Sequence, residues 1–467
     1  MLLLDLVYLL ALLALSPWLV WRAAVTGRYR RELGAKLFGR VAAPIPQRKP
    51  VAWFHAVSVG EVNLLGTLVP AFRKRHPEYL VVVSSTTDTG IAEARRRFAD
   101  LAVIAFPFDF SWAVGAALDA VRPALVVLTE SEMWPNFLSA AKQRGVPVVV
   151  VNARMSPRSF ARLRRFRGLA RRMLFGKVAR FAVQEQEYAD RFRQLGLLAE
   201  KVVITGSIKY DGASARAGEK SRALAVLLGL PQRVDTGTRG HGDTGTESRT
   251  VISPRVSVSP CPRASERPLV LLAGSTHAPE EAVVLAAFGR LRERFPHLKL
   301  ILVPRHPDRF AEVARLVEQT GLPFVRRSAV REPLAEMPAV VLLDTVGELG
   351  AAWGLADVGF TGGSLDGVRG GQSMIEPAGY GVPCVFGPHV WNFRDAARRL
   401  VEVGAAVMVT DAAALETELA RLIADPALRE RMGETARELV RRQQGATDRT
   451  LAQLDTLLPL TSLSRAA

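Results

Sequence analysis

Val51-Ala52-Trp53-Phe54-His55-Ala56, followed by Val57-Ser58-Val59-Gly60-Glu61, is the stretch on which the fold turns. A short apolar run ends in a turn of small residues, and Glu61 opens the amphipathic segment from Val62 to Arg75. That succession reads as the strand-to-helix step of a parallel α/β sheet. Working outward, runs of strand length recur at Leu80 to Ser84, Leu125 to Leu128, Val148 to Val151, Arg180 to Val183 and Val202 to Thr205. Helical stretches such as Ile91 to Phe98 lie between them.

The alternation stops at Gln232. From there to Arg267 the chain is rich in Thr, Gly, Ser, Arg and Pro and has no apolar period, as a flexible linker or surface insertion would. A second series then runs through Leu269 to Ala273, Leu298 to Val303, Pro323 to Val325, Val340 to Leu343, Val358 to Thr361 and Pro383 to Gly387. A helical stretch from about Ala412 to Leu458 closes the chain. The expected architecture is α/β, with two Rossmann-like domains facing a cleft. The expected divisions are an N-terminal membrane-anchor helix over 1–22, a first Rossmann-like domain over 23–212 and a linker with a low-complexity insertion over 213–267. A second Rossmann-like domain follows over 268–430, and a helical segment over 431–467. Ligands of such sheets bind at the carboxyl ends of the strands.

Met1 to Trp21 is almost wholly apolar, broken by Asp5, Ser16 and Pro17, and is followed by Arg22, Arg28, Arg30, Arg31, Lys36 and Arg40. A cleaved signal peptide would carry its positive charges before the apolar run. The expectation is an uncleaved anchor that leaves the body on the cytoplasmic face of the inner membrane. A buried amphipathic helix packed on the body is the other reading. The formal net charge of +17 calls for an acidic partner. No nucleic-acid module is legible, which favours a membrane surface over nucleic acid. Two cysteines, Cys261 and Cys384, build no disulfide framework, and the seven histidines are scattered.

Six segments carry candidate chemistry. Glu61, at a helix start, can act as a general base or cap its helix facing water. Glu130 and Glu132 flank Ser131 after a strand and can do acid/base work, bind hydroxyls, or raise each other's pKa. Lys209, in Gly206-Ser207-Ile208-Lys209-Tyr210-Asp211, can neutralise a phosphate or stand in solvent. Arg305, between Pro304 and His306-Pro307, suits phosphate or a stiff surface turn. Val346-Gly347-Glu348 reads by itself as a plain turn. Gly362-Gly363-Ser364 and Gly370-Gly371-Gln372-Ser373-Met374-Ile375-Glu376 form a Gly-rich loop whose amides can approach a phosphate, with Glu376 placed for ribose hydroxyls. Between Arg154 and Arg180, Arg162, Arg164, Arg165, Arg167, Arg171 and Arg172 interleave with Phe160, Leu163, Phe166, Leu169, Met173 and Leu174, as on a membrane-surface helix or a solvated helix face.

Taken in order, these motifs resemble the Kdo (3-deoxy-D-manno-octulosonic acid) transferases of lipopolysaccharide lipid A–core synthesis. The resemblance runs through His55 to Glu61, Thr86-Thr-Asp-Thr-Gly90, Glu130 to Asn136, Asn152-Ala-Arg-Met-Ser156 and Gly206 to Lys209. It continues through Ser275-Thr-His277, Leu302 to Pro307 and Gly387-Pro-His389. It implies a glycosyltransferase B fold and an inverting enzyme without metal or other cofactor. The donor would be CMP-Kdo and the acceptor an acylated, phosphorylated lipid A precursor. The first domain would take the acceptor and the second the donor. It implies Glu61 as general base on the acceptor hydroxyl and Glu130 and Lys209 as transition-state-stabilising positions. Pro304, Arg305, Val346, Gly347, Glu348, Ser373, Met374, Ile375 and Glu376 would be the CMP contacts. Where the family usually reads Gly-Gly-His-Asn, this chain reads Gly370-Gly371-Gln372-Ser373. The alternative is a related two-Rossmann transferase or epimerase using another nucleotide sugar.

Overall fold

In the computed structural model, which describes residues 2–26, 32–41, 45, 48–213, 218–231 and 267–458, each apolar run named above contributes a strand. The chain divides into two compact units, Met1–Gly212 with Gln443–Ala467, and Ala213–Arg442. The insertion expected from Gln232 lies outside the described residues, apart from Arg267.

Unit 1 is built on β1 (Val51–Ala56), β2 (Leu80–Ser85), β3 (Ala102–Ala105), β4 (Pro123–Thr129), β5 (Val148–Ala153), β6 (Arg180–Val183) and β7 (Val202–Ile204). They form one parallel sheet in the order β3-β2-β1-β4-β5-β6-β7. Successive side chains go to opposite faces, and both faces are covered. Val51, Trp53, Val126, Leu128, Val148 and Val150 fill one cluster. Ala52, Phe54, Val127, Val149 and Val151 fill the other. That is why these strands read as unbroken apolar runs rather than alternating ones.

Two further elements belong to unit 1. The helix Ala446–Asp455 returns from the end of the chain and adds Ala446, Leu451 and Leu454 to the second cluster. The C-terminal stretch expected as one segment is thus shared, since the helix Pro426–Gln443 belongs to unit 2 as far as Arg442. The first helix, Leu2–Thr26, docks on the body by its polar residues. Asp5 is buried, and its carboxylate accepts from the Ser111 N–H at 2.9 Å, the Ser111 hydroxyl, and Asn136 Nδ2 at 2.9 Å. Tyr8 donates to Asp109 at 3.0 Å. Its leucines point outward, with Leu3, Leu10 and Leu13 more than half exposed. This helix inverts the usual arrangement, in which the apolar stripe faces the core. Among the described residues no helix is long and apolar enough to cross a membrane.

Unit 2 repeats the plan with β8 (Val270–Thr276), β9 (Lys299–Pro304), β10 (Phe324–Arg326), β11 (Val340–Leu342), β12 (Val358–Thr361), β13 (Cys384–Phe386) and β14 (Ala406–Met408). The parallel order is β10-β11-β9-β8-β12-β13-β14. Trp353, 1% exposed, lies flat on two strands that carry glycine beneath it. A Cβ on Gly274 or Gly359 would meet its ring at 2.5 or 2.8 Å.

Candidate active site

In the first sheet the chain steps outward from β1 to β2 and β3, then crosses back to β4 and continues to β7. The crevice outside the carboxyl ends at such a reversal is the ligand site of open parallel sheets. Glu61 follows β1 and Glu130 follows β4, so the two carboxylates flank it.

Glu61 sits in the first turn of the helix Val59–Arg75 and is partly buried. Its Oε2 accepts from the Val57 N–H at 3.0 Å and from the Thr129 hydroxyl at 2.5 Å. Among the described residues its Oε1 has only the Ser58 hydroxyl, at 3.4 Å. Burial raises the Glu61 carboxyl above the ordinary range, against the pull of Thr129 and Val57, and Glu130 and Glu132 add to the rise. One oxygen is thus held by two donors at the helix entry, and the other is the less engaged of the two.

Glu130 is held in left-handed backbone, φ +55°, and is 8% exposed. Non-glycine residues rarely adopt that conformation, and strain of this kind gathers at functional sites. The Glu130 carboxylate is clamped between Arg154 Nη2 at 2.7 Å and Lys209 Nζ at 3.3 Å. Asn152 on β5, also left-handed at φ +53°, accepts from the Ile208 N–H at 3.2 Å and so holds the loop that carries Lys209. Asp211 ties that loop to the returning helix, accepting from the Gly445 and Thr447 N–H groups at 2.7 and 2.5 Å. Glu132 is raised by burial first and by Glu130 second. His55, fully buried, stacks on Phe106 at 3.7 Å, and desolvation pushes it down to about 3. It is therefore a neutral structural residue. Arg154, Thr129, Asn152 and Asp211 had no role in the sequence reading. Their signal is position: each sits at or just beyond the carboxyl end of β4, β5 or β7.

In the second sheet the chain reverses at β8, between β9 and β12. Pro304 ends β9 and is buried, while Arg305 is exposed, its N–H donating to the Thr276 carbonyl at 3.0 Å. Burial raises the Glu376 carboxyl above the ordinary range, and the charge of Arg305 pulls it partly back. His277 is 3% exposed and is pushed down to about 4, by burial first and then by Arg369 and His306. It precedes Glu280 and follows Ser275, a third left-handed residue at φ +56°. Gln372, the departure from the usual loop, places Nε2 3.4 Å from His277 Nε2. Val346 is 75% exposed and Gly347, at φ +93°, turns the chain beside it. The Glu348 carboxylate is taken by Arg327 at 2.8 Å and by the Thr345 hydroxyl. Ser373 is partly exposed, whereas the Met374 and Ile375 side chains are core.

One expectation is corrected. The amides of Gly363, Ser364, Gly371 and Gln372 in the Gly-rich loop do not stand open for a phosphate. Glu280, fully buried, already accepts from Gly363 N–H at 2.6 Å, Ser364 N–H at 2.9 Å, Leu365 N–H at 3.0 Å and His277 N–H at 3.0 Å. The amides of Gly371 and Gln372 donate to the Gly363 and Gly362 carbonyls. An internal carboxylate fills the anion cradle. Side chains such as Arg305 can supply charge for a ligand phosphate.

The arginine-rich segment forms the helices Pro157–Arg165 and Arg167–Met173. Phe160, Leu163 and Leu174 pack against the unit 1 core. Phe166 and Leu169 remain exposed at 58% and 57% among the arginines. Among the described residues no group of three or more His, Cys, Asp or Glu side chains is arranged to hold a metal ion.

The family pattern described as 3-Deoxy-D-manno-octulosonic-acid transferase (kdotransferase) matches residues 32–212. A 3-deoxy-D-manno-octulosonic acid transferase of Bordetella pertussis is 36% identical, over 97% of this chain and 99% of that protein. One from Haemophilus influenzae is 31% identical, over 92% of each. The crystal structure of UDP-GlcNAc 2-epimerase from Neisseria meningitidis bound to UDP-GlcNAc superposes with a TM-score of 0.50, at 12% identity, over 85% of this chain and 99% of that one. That likeness extends to the two-sheet fold alone. With the transferase motifs in place along both units and sequence identity spanning nearly the whole length, the chain belongs to the family of 3-deoxy-D-manno-octulosonic acid transferases.

Proposed function

We propose that this Kdo transferase takes CMP-Kdo as donor and an acylated, phosphorylated lipid A precursor as acceptor, by a single inverting displacement without metal. The observation that carries the reading is Glu61, a buried carboxylate held at one oxygen, beside the Glu130–Arg154–Lys209 cluster. Glu61 removes the proton of the acceptor hydroxyl. The acceptor oxygen bonds to the anomeric carbon of the sugar as the bond from that carbon to the CMP phosphate oxygen breaks, and CMP leaves with the electron pair. Glu130 and Lys209 stabilise the charge that develops at the sugar. Arg305 meets the leaving phosphate, with Pro304, Val346, Gly347, Glu348 and Ser373 to Glu376 around the nucleotide.

The acceptor's phosphates and acyl chains match two features of unit 1. One is the outward leucine face of the first helix. The other is the pair of arginine-rich helices with exposed Phe166 and Leu169. Together they support a site at the cytoplasmic face of the inner membrane, with the first helix as an anchor.

The test is transfer by the full chain in membranes, with CMP-Kdo generated in the assay, a tetra-acylated lipid A precursor as acceptor and EDTA throughout. Product is expected, and Glu61→Gln is expected to lose roughly 10²–10⁴ in kcat while keeping its fold. Near-wild-type transfer by Glu61→Gln removes the base assignment. No product from folded protein that still binds CMP removes the acceptor assignment.

A further inference from the structure

We propose that Thr129 is a positioning residue for the base, holding Glu61 Oε2 so that Oε1 is the oxygen that takes the acceptor's proton. The proposal rests on the reading of Glu61 as general base. Thr129 is the last residue of β4 and is fully buried. Its hydroxyl has one proton and two acceptors within reach, Glu61 Oε2 at 2.5 Å and the His55 carbonyl at 3.0 Å. With the Val57 N–H on the same Oε2, that oxygen already has two donors. Among the described residues, only the 3.4 Å contact from Ser58 reaches Oε1. The lone pairs left for a substrate hydroxyl are therefore those of Oε1.

The hydroxyl also discriminates between the two charge states of Glu61. Toward the carboxylate it makes a charge-assisted hydrogen bond, which is about twice as strong as one between neutral groups. Once Oε1 holds the acceptor's proton, Oε2 is a neutral carbonyl oxygen. The hydroxyl can then turn to His55 without leaving a buried polar group unpaired. Thr129 thus favours the ionised base before the reaction and loses little after it. The charges around the pair are accounted for. Glu130 and Glu132 face Glu61 from the loop after β4, Arg154 and Lys209 are spent on Glu130, and His55 stays neutral.

The experiment compares pH profiles of kcat/KM for wild type, Thr129→Val and Thr129→Ser in the same membrane assay, with Glu61→Gln alongside. Valine keeps the shape and removes the proton. Losing that donor is expected to move the acid limb up by about one pH unit and to lower kcat roughly tenfold. The KM for CMP-Kdo should stay within about twofold, because the donor residues of unit 2 are untouched. Serine should restore the limb and most of the rate. If valine does not fold, Thr129→Ala carries the same expectation. A wild-type limb in the valine or alanine variant overturns the proposal, as does a serine variant as impaired as valine. An active Glu61→Gln sinks the base reading itself, whereas an inactive Glu61→Gln with an unshifted Thr129→Val limb sinks only the role of Thr129.

Discussion

Glu280→Gln tests whether the Gly-rich loop of unit 2 is held by an internal anion. The wild-type carboxylate accepts four backbone N–H groups, two on each oxygen, at 2.6–3.0 Å and without solvent. Glutamine turns one oxygen into an NH₂ group, so two buried N–H donors lose their acceptor and face another donor. Each orphaned buried donor costs about 1–3 kcal/mol. A neutral amide avoids the desolvation of a buried charge, which offsets part of that loss. A net destabilisation of about 3 kcal/mol is expected, or roughly 6–12 °C in the transition of a unit this size. The assay is differential scanning calorimetry of the full chain, with hydrogen exchange read at Gly363 to Leu365 and CMP affinity by titration. The unit 2 transition should fall, the three amides should lose protection, and CMP should bind more weakly. Unchanged protection and a melting shift within about 1 °C would refute the argument.

Other outcomes follow from both units. Asp5→Ala leaves the Ser111 N–H and one of the two Asn136 Nδ2 protons (the other donates to the Asp109 carbonyl at 2.6 Å) without an acceptor and should cost about 2–4 kcal/mol in thermal melts of the full chain, more than trimming an outward leucine such as Leu13. Lys209→Met frees one side of the Glu130 clamp. It should lower kcat by roughly 10² or more with little change in CMP affinity, as single-turnover kinetics would separate. Activity should fall as pH drops through a limb lying above the ordinary carboxylate value of 4.5, because burial raises Glu61 and only its ionised form is a base. His277, pushed down to about 4, should contribute nothing to the profile at neutral pH, and His277→Gln should leave its shape unchanged.

What the sequence disclosed and what it withheld divide along physical lines. Strands covered on both faces announce themselves as unbroken apolar runs, and β6 and β12 begin and end where the sequence reading puts them. The strands it passes over, β3 and β14, lie at sheet edges. They are four and three residues long, and Met408 is 42% exposed, so there is little apolar signal to detect. Glu61, Glu130 and Lys209 stood out in the sequence because each comes within five residues of the end of a strand. Their partners were not, because Arg154 reaches Glu130 only once β5 is known to lie beside β4. The loop at Gly362 misled for a related reason. A glycine-rich turn looks the same whether its amides await a phosphate or already hold a glutamate 83 residues earlier in the chain. Glu61 and Glu280 make the point as a pair. Both follow the first strand of their sheet at the start of a helix, yet one leaves an oxygen with a single long contact, from Ser58 at 3.4 Å, among the described residues, and the other takes two N–H donors on each oxygen.

On the proposed reading of the first helix as a membrane anchor, its docking on unit 1 bears on how this protein would meet a lipid. A span joined to a soluble body by a loose tether lets that body tumble, so its substrate must find a moving target. Here Asp5 and Tyr8 key the helix to unit 1 and prevent it from rolling about its own axis. Whatever apolar phase wets the leucine face therefore sets the bearing of the whole sheet, with the carboxyl ends of β1 and β4 turned in one fixed direction. The helix then acts as a gimbal lock as well as a mooring. Rotating the leucine face by one inserted residue, with Asp5 left in place, would misalign the enzyme with its acceptor without touching a single catalytic atom.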